Sequence, residues 1–268
     1  MEYSEVAEEY KKIAKNQTSV GEKLIALMFF KGQESILDLG CGSGHLAFEL
    51  SKKTSGRVIG IDPSEGMIKQ AKKSYGEFIQ FFCEEGEHMA FTSEFDVIFC
   101  NSVFHWFRDP VPVLKKIHQA LKNQGVFALQ TPVSEWCDFI VDIIDQTCRA
   151  DNIKPYIEHY LNPWFHLKNA CAYQALLEHH GFNVRLAFDE DVTTQAYDFE
   201  KILGLFNSGP ALAYLNFENY SIPCGENYKN SFINTLHQII RQKMDNSTVV
   251  DITYHRAFLI AYKYNGIC

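Results

Sequence analysis

The sequence lacks the cysteine patterns that mark a metal site or a disulfide framework. Its 8 cysteines are scattered through 268 residues, with no CxxC pair and no Cys/His cluster at the spacing of zinc ligands. Several lie inside apolar strands, where a cysteine behaves as a small hydrophobic residue. We therefore expect reduced, structural thiols and no metal ion.

Long apolar runs and an excess of basic residues are lacking as well. The apolar run 24–30 is too short to span a membrane, and the charged N-terminal segment has no secretory apolar core. The net charge of -8 argues against nucleic-acid binding, which usually relies on a basic surface. We expect a cytoplasmic protein with no membrane span and no nucleic-acid partner. The sequence leaves its oligomeric state open.

What the sequence does contain is an alternation of short apolar strands with helices, and 46% of its residues are hydrophobic. The alternation predicts a parallel sheet with helices on both of its faces. Strands are expected at 36–39, 57–62, 78–83, 95–102, 125–132, 182–189 and 257–264, and helices at 45–53, 65–75, 110–122 and 168–180.

Two segments interrupt this alternation. Residues 133–167 are aromatic and irregular, and residues 197–245 are only partly helical. Loops of such length in a compact domain are usually functional. No repeat or low-complexity linker is present, so we expect one domain, 34–268, with these segments as lid insertions. Residues 1–33 are expected to form a helical cap over the site.

A glycine-rich turn follows the first strand, with Gly40, Gly42 and Gly44 at alternate positions. The dinucleotide-binding fingerprint GxGxxG requires a third glycine where this sequence has His45, which disfavours a nicotinamide dehydrogenase. Asp38, just before the turn, fits poorly beside a pyrophosphate. A carboxylate there suits a ligand with a positive amino group, such as the amino-acid end of S-adenosylmethionine.

A second acidic residue, Asp62, ends the second strand. A carboxylate at this point accepts hydrogen bonds from the two hydroxyls of a ribose. The simpler interpretation is that Asp62 caps the helix that begins near Ser64. Together with Asp38 and the glycine turn, Asp62 indicates ribose binding.

Five motifs in order then identify a family resemblance: ILDLGCGSG, VIGIDPSEGMIKQA, EEGEHMAF, FDVIFCNSVFHWFRDP and LKNQGVFALQTP. They cover about residues 34–132, and in them the sequence resembles the class I S-adenosylmethionine-dependent methyltransferases. The resemblance implies S-adenosylmethionine as cofactor. It also implies an α/β fold: a Rossmann-like, seven-stranded, mostly parallel sheet with helices on both faces, an antiparallel last strand and a helical lid.

The resemblance also implies which residues hold the cofactor. Asp38 and the turn from Gly40 to Gly44 would hold its methionine end, and Asp62 its ribose. An acid followed by a small residue at the end of the third strand, Glu85–Gly86, would meet the adenine amino group, although Glu84 competes for this role. The full set implied for the cofactor is Asp38, Gly40, Cys41, Gly42, Gly44, Asp62, Pro63, Ser64, Met67, Glu85, Gly86, Asn101 and Ser102. For Met67, a place in the core of its helix is the alternative.

The methyl acceptor is indicated by the segment 101–110, in which a tryptophan follows an aromatic residue. This segment resembles the branch that contains trans-aconitate, malonyl-acyl-carrier-protein and juvenile-hormone-acid methyltransferases, which esterify carboxylates. The resemblance implies that Gln17 and Trp106 hold the substrate carboxylate. The arginine-rich sites of some carboxyl methyltransferases have no obvious counterpart, although Arg108 and Arg149 are available. An ionised carboxylate needs no general base.

We therefore expect a methyltransferase that O-methylates a small carboxylic acid of apolar character by in-line displacement. The alternatives are a C-, N- or phenolic O-methyltransferase of the ubiquinone type, or an S-adenosylmethionine-binding protein without catalytic activity. His105 could act as general base if the acceptor is a phenol, an amine or an activated carbon; otherwise it is a packing residue. The aromatic segments 156–165 and 204–220 could line an apolar pocket or form the core of a lid.

Overall fold

The computed structural model describes residues 15–196, 198–244 and 249–264, and for residues 15–19 and 196 only the backbone is described. The helices are α1 Lys15–Ala26, α2 His45–Ser51, α3 Glu65–Tyr75, α4 Pro110–Ala120, α5 Asp138–Arg149, α6 Lys154–Ile157, α7 Ala170–His179, α8 Phe199–Asn207, α9 Pro210–Tyr214 and α10 Glu226–Met244. The strands are β1 Ile36–Leu39, β2 Val58–Asp62, β3 Gln80–Cys83, β4 Phe95–Asn101, β5 Leu121–Pro132, β6 Phe182–Ala196 and β7 Val250–Lys263. Short 3₁₀ turns lie at Phe104–Trp106 and Phe217–Asn219.

The strands form one seven-stranded sheet in the order β3-β2-β1-β4-β5-β7-β6. Neighbouring strands from β3 to β5 run parallel, whereas β7 lies antiparallel to β5. This arrangement confirms the predicted fold class. Because parallel strands end at the same edge of a sheet, the turns after β1, β2, β3 and β4 lie together at that edge.

Side chains of the central strands alternate between the two faces of the sheet, and each face has its own hydrophobic core. Ile36 belongs to one buried cluster, and its neighbours Leu37 and Leu39 belong to the other. The helices that cover the faces begin at ordinary caps. The Ser64 hydroxyl accepts a hydrogen bond from the backbone N–H of Met67, and the Asp109 carboxylate accepts one from that of Val111.

The chain divides into two compact units. The first comprises residues 1–134, 165–190 and 256–268, and the second comprises residues 135–164 and 191–255. The first unit contains β1 to β5 and the glycine turn. That the second unit acts as a lid stays a prediction, as does the cap at residues 1–33, of which residues 1–14 lie outside the described part of the chain.

The second unit has a hydrophobic core of its own, built from isoleucine and aromatic side chains. Tyr160 stacks on Tyr214 with ring centroids 4.8 Å apart, and Tyr228 and Phe232 are fully buried. Most aromatic residues of segments 156–165 and 204–220 belong to this cluster, which favours the core interpretation over a pocket lining. Phe165 packs instead against Phe104 and Tyr173 in the first unit.

The segment 133–167 differs from the prediction because it contains the helix α5. The buried side chains of α5 are Ile140, Ile143, Ile144 and Thr147, which are spaced as one face of a helix. Strand β7 also begins earlier than expected, because Ile252 and Tyr254 are buried between more exposed neighbours in the alternation of a strand.

None of the described helices is both long enough and apolar enough to cross a membrane.

Candidate active site

The turn between β1 and α2 lies at the carboxyl edge of the sheet. Gly40, Gly42 and Gly44 all have positive φ angles, of 75°, 52° and 83°, a region that glycine adopts without a steric penalty. The N–H groups of Gly40 and Cys41 both donate to the carbonyl oxygen of Ile61 at the end of β2, at 2.8 and 2.9 Å. The turn is therefore fixed to the neighbouring strand.

The three glycines serve different purposes. A Cβ atom on Gly40 would lie 2.2 Å from the Val103 side chain, and one on Gly44 would lie 2.7 Å from the Phe81 ring, so both positions need glycine for internal packing. A Cβ atom on Gly42 would meet no described atom within 4 Å. Only Gly42 therefore leaves open space in which a ligand can approach the turn.

Asp38 lies next to this turn and is 2% exposed. One of its carboxyl oxygens accepts a hydrogen bond from the backbone N–H of Ala47, and its Oδ2 has no partner among the described residues. Burial and, to a smaller extent, the charge of Asp62 raise the pKa of Asp38 to about 8. A buried carboxyl with an unsatisfied oxygen is suited to pairing with a positive group from a ligand.

Asp62 holds the turn and the next helix together. Its Oδ2 accepts from the N–H of Gly42 at 2.9 Å, and its Oδ1 accepts from the N–H of Ser64 at 2.9 Å. Burial raises the pKa of Asp62, although these two hydrogen bonds oppose that effect. The helix that follows is capped by Ser64 and not by Asp62, so the capping interpretation of Asp62 is wrong. Ribose binding stays a prediction, and each carboxylate oxygen of Asp62 keeps a second lone pair for a hydroxyl donor.

The residues after β3 line a surface depression of about 340 Å³ together with Pro63. Glu84 is half-buried, and its N–H donates to the carbonyl oxygen of Asp62 at 3.1 Å. Glu85 is exposed and lies 3.1 Å from Nδ1 of His88. Both acids line the depression, so Glu84 and Glu85 both remain candidates for the contact with adenine. Gly86 is not among the residues that line the depression, because it is buried against Leu39 and Phe107.

The end of β4 presents uncharged polar groups. Asn101 is 8% exposed, and its Oδ1 has no hydrogen-bond partner among the described residues. Ser102 has a φ angle of 57°, which is uncommon for a residue other than glycine. Its hydroxyl donates to Oε1 of Gln130 at 2.7 Å, and its N–H donates to the Gln130 carbonyl oxygen. The strained backbone of Ser102 is thus held by β5.

His105 and Trp106 follow in the 3₁₀ turn. Trp106 is 38% exposed. Nδ1 of His105 is buried without a partner among the described residues, and burial lowers the pKa of His105 to about 3. A group with so low a pKa is a poor general base at neutral pH, so the hypothesis that His105 removes a proton from the acceptor loses support.

The other residues named from the sequence lie in different surroundings. Cys41 is buried, Met67 and Ser64 are half-buried in or beside α3, and Pro63 is exposed. Gln17 belongs to α1, but its side chain lies outside what the structure describes. Among the described residues, no group of His, Cys, Asp or Glu is arranged to hold a metal ion.

Three residues at this edge were missed by the sequence analysis: Gln130, His88 and His166. Gln130 and His88 carry a local signal, since Gln130 is polar near the end of a buried strand and His88 follows Glu85 by three residues. His166 carries none, because it is distant in sequence from His105, yet their rings stack with centroids 5.5 Å apart.

Comparison with known proteins identifies the family. A family model described as a methyltransferase domain matches residues 37–129. A malonyl-[acyl-carrier protein] O-methyltransferase of Acetivibrio thermocellus is 32% identical over 135 residues, which are 49% of this chain and 48% of that protein. The chain thus spans about half the length of this relative. An uncharacterized methyltransferase of Schizosaccharomyces pombe is 30% identical over 191 residues, which are 66% of this chain and 70% of that protein.

The chain belongs to the S-adenosylmethionine-dependent methyltransferases. The crystal structure of a Bacillus halodurans protein described as a candidate methyltransferase shares the fold of this methyltransferase. It has a TM-score of 0.61 and 19% identity, with 92% of this chain and 100% of that chain covered. The resemblance read from the five sequence motifs is confirmed.

The residues at the edge of the sheet fit the cofactor of this family. Asp38 has a buried oxygen without a partner, Asp62 keeps free lone pairs, and Gly42 faces open space. Together they match a positive amino group, a pair of ribose hydroxyls and a ligand in close contact with the backbone.

Proposed function

We propose that this methyltransferase transfers a methyl group from S-adenosylmethionine to an oxygen of a small carboxylic acid. The observation that carries the proposal is the set of polar groups at the end of β4. Asn101, Ser102 and His105 are uncharged, and the low pKa of His105 leaves this group without a strong base. Such a site favours an acceptor that is already ionised at neutral pH, and a carboxylate meets that condition.

In this proposal Asp38 holds the amino group of the cofactor, and Asp62 holds the ribose hydroxyls. Glu84 or Glu85 meets the adenine in the depression beside Pro63. The chemistry that S-adenosylmethionine supplies when bound is an electrophilic methyl group, whose carbon–sulfur bond breaks with its electron pair left on sulfur. Met67, Ser64 and the backbone of the glycine turn would complete the contacts.

The protein contributes mainly by orientation. The indole N–H of Trp106 and the amide of Gln17 would each donate a hydrogen bond to the carboxylate and direct one oxygen toward the methyl group. Such positioning is worth on the order of 7–11 kcal/mol in favourable cases. The name of the Acetivibrio thermocellus relative, an O-methyltransferase of a malonyl group, supports an acceptor of this kind.

A methyl-transfer screen tests the proposal. The full chain is incubated with S-adenosylmethionine and with fatty, isoprenoid and small dicarboxylic acids, each paired with the phenol or amine of similar skeleton, and methylated products are identified by mass spectrometry. We expect methyl esters of one or more apolar acids. Methylation of phenols or amines alone would overturn the carboxylate assignment, and the absence of any product would favour a binding protein without turnover.

A further inference from the structure

A buried glutamine, Gln130, holds the backbone at the point where the chain leaves β4. Gln130 is 1% exposed and lies beside Asn101 in the register of β4 and β5. Its Oε1 accepts a hydrogen bond from the Ser102 hydroxyl at 2.7 Å, and its backbone carbonyl oxygen accepts one from the Ser102 N–H at 3.0 Å. Two hydrogen bonds to a single residue of β5 therefore hold Ser102 in place.

Ser102 needs this support because its φ angle of 57° lies in the left-handed region. A Cβ atom makes that region costly, and residues other than glycine remain there only when their surroundings hold them. Strained backbone of this kind is concentrated at ligand-binding and active sites. The two hydrogen bonds from Ser102 to Gln130 therefore point to a turn whose direction matters for function.

The turn that follows Ser102 packs directly on the glycine turn after β1. A Cβ atom on Gly40 would lie 2.2 Å from the Val103 side chain, so this side chain lies against the Gly40 backbone. The N–H of Trp106 donates to the Val103 carbonyl oxygen at 2.8 Å, which connects Val103 to the 3₁₀ turn. A change in the backbone of Ser102 would thus move atoms that contact the glycine turn.

Asn101, at the end of β4, faces the same side of the sheet as Asp38 on the neighbouring strand β1. Their neighbours along the two strands belong to the core on the opposite face: Cys100, Leu37 and Leu39. Oδ1 of Asn101 and Oδ2 of Asp38 are both buried, and neither has a hydrogen-bond partner among the described residues. Each of these two adjacent strands therefore carries an unsatisfied acceptor on this face.

Two buried acceptors without a donor suit a ligand group that has several N–H donors and a positive charge. The protonated amino group of S-adenosylmethionine has three such donors. We propose that Gln130 is a positioning residue of the cofactor site. Through Ser102 it directs the Asn101 amide, so that Asn101 joins Asp38 as a second acceptor for this amino group. The inference rests on the proposed function and extends its account of the cofactor site.

A ligand analogue separates an effect on the amino group from a general loss of structure. Calorimetry compares S-adenosylhomocysteine with an analogue that has hydrogen in place of the amino group, using the full chain as wild type, Gln130→Met, Ser102→Ala and Asn101→Leu. Methionine keeps the length of glutamine without its acceptor. Gln119→Met is the matched control, because Gln119 is exposed and donates to the Thr92 hydroxyl at 3.1 Å, before the start of β4.

We expect the wild type to bind S-adenosylhomocysteine at least tenfold more tightly than the analogue. Gln130→Met and Ser102→Ala should each reduce this preference at least threefold, because each removes the hydrogen bond between the two side chains. Asn101→Leu should reduce it by at least as much, and Gln119→Met should keep it. Loss of a residue that only supports the fold would weaken both ligands alike.

Ser102→Gly provides a second test, because glycine adopts the left-handed region without a steric penalty. When Ser102→Gly is already present, adding Gln130→Met should change the preference less than twofold.

The positioning role of Gln130 would be overturned by an unchanged preference in both Gln130→Met and Ser102→Ala, or by an equal loss from Gln130→Met with and without Ser102→Gly. An unchanged preference in Asn101→Leu, or equal affinity of the wild type for the two ligands, would exclude Asn101 as an acceptor for the amino group. Failure of the wild type to bind S-adenosylhomocysteine at all would instead count against the proposed function itself.

Discussion

The buried carboxyl of Asp38 destabilises the folded protein without ligand when it is ionised. Its pKa of about 8 lies far above that of an aspartate in an unfolded chain, because the carboxyl is buried beside Asp62 with one oxygen unsatisfied. The folded protein therefore binds this proton more tightly than the unfolded chain does. As the pH rises from the ordinary aspartate range toward 8, Asp38 lowers the free energy of unfolding. A cationic ligand group would reverse this effect.

Replacing Asp38 separates stability from binding. Asp38→Asn keeps the size of the side chain and removes the buried charge, so the ligand-free protein should gain stability at pH 8, on the order of 1–3 kcal/mol. The same change should weaken S-adenosylhomocysteine at least tenfold. Thermal unfolding and calorimetry measure the two effects, and Asp109→Asn, at a helix cap that asparagine also fills, serves as the control. A variant that binds as wild type does would exclude the amino-group role of Asp38.

Some residues of the site could be predicted because they lie beside a recognisable pattern in the sequence. Asp38, Gly42 and Asp62 stand beside strand ends, and strand ends were visible as apolar runs. His166 could not be predicted, because its place depends on hydrogen bonds that its neighbours Phe165 and Leu167 donate to His105 and Tyr173. The different roles of Gly40 and Gly42 also depend on distant side chains, such as Val103.

Two strands and one helix of the second unit meet at His255. Nδ1 of His255, on β7, lies 2.7 Å from Asp191 on β6, and its Nε2 lies 3.5 Å from Asp138 at the start of α5. The N–H of His255 also donates to the carbonyl oxygen of Trp136. Burial opposes protonation of His255, but the two carboxylates outweigh it and raise its pKa. The histidine thus ties the start of α5 to two strands.

This contact should make the stability of α5 depend on pH. Because the pKa of His255 is raised in the folded state, its stabilising effect is complete below the ordinary histidine value near 6.5 and is lost as the pH rises through the raised value. Both carboxylates are well exposed, and solvent screening weakens their attraction to His255. Their contribution to the free energy of opening α5 is therefore at most about 1 kcal/mol, a factor of about five in the exchange rate. Hydrogen exchange of α5, corrected for intrinsic rates, should show this loss of protection between pH 6.5 and 8.5.

The variant His255→Gln should remove that pH dependence, whereas His159→Gln, which leaves all three elements untouched, should keep it. Equal pH profiles in wild type and His255→Gln would show that the histidine does not stabilise α5.

The elements themselves could be predicted wherever they were continuously apolar. Strands β1, β2 and β4 matched their apolar runs closely, because burial on both faces leaves no other pattern. Helix α5 and the first half of β7 were missed, because polar residues alternate with the buried ones and only the packing of the second unit shows which face is inside.

At the scale of the whole molecule, the fold and the cofactor class were predictable and the acceptor was not. The family model matches residues 37–129, which carry the turns after β1 to β4. In the proposed site, the acceptor also contacts a residue outside that range, Gln17, whose side chain the structure does not describe. In this proposal, local sequence motifs recognise the methyl donor, whereas recognition of the acceptor also requires residues that are distant from those motifs in sequence.

Calorimetry with S-adenosylhomocysteine and with NAD tests the central claim most directly, namely that the edge formed by β1 and β2 binds an S-adenosyl nucleoside. We predict that the full chain binds S-adenosylhomocysteine and not NAD. We further predict that Asp62→Ala weakens this binding at least tenfold, about 1.4 kcal/mol. Binding of NAD without S-adenosylhomocysteine, or an affinity for S-adenosylhomocysteine that Asp62→Ala leaves unchanged, would contradict the account.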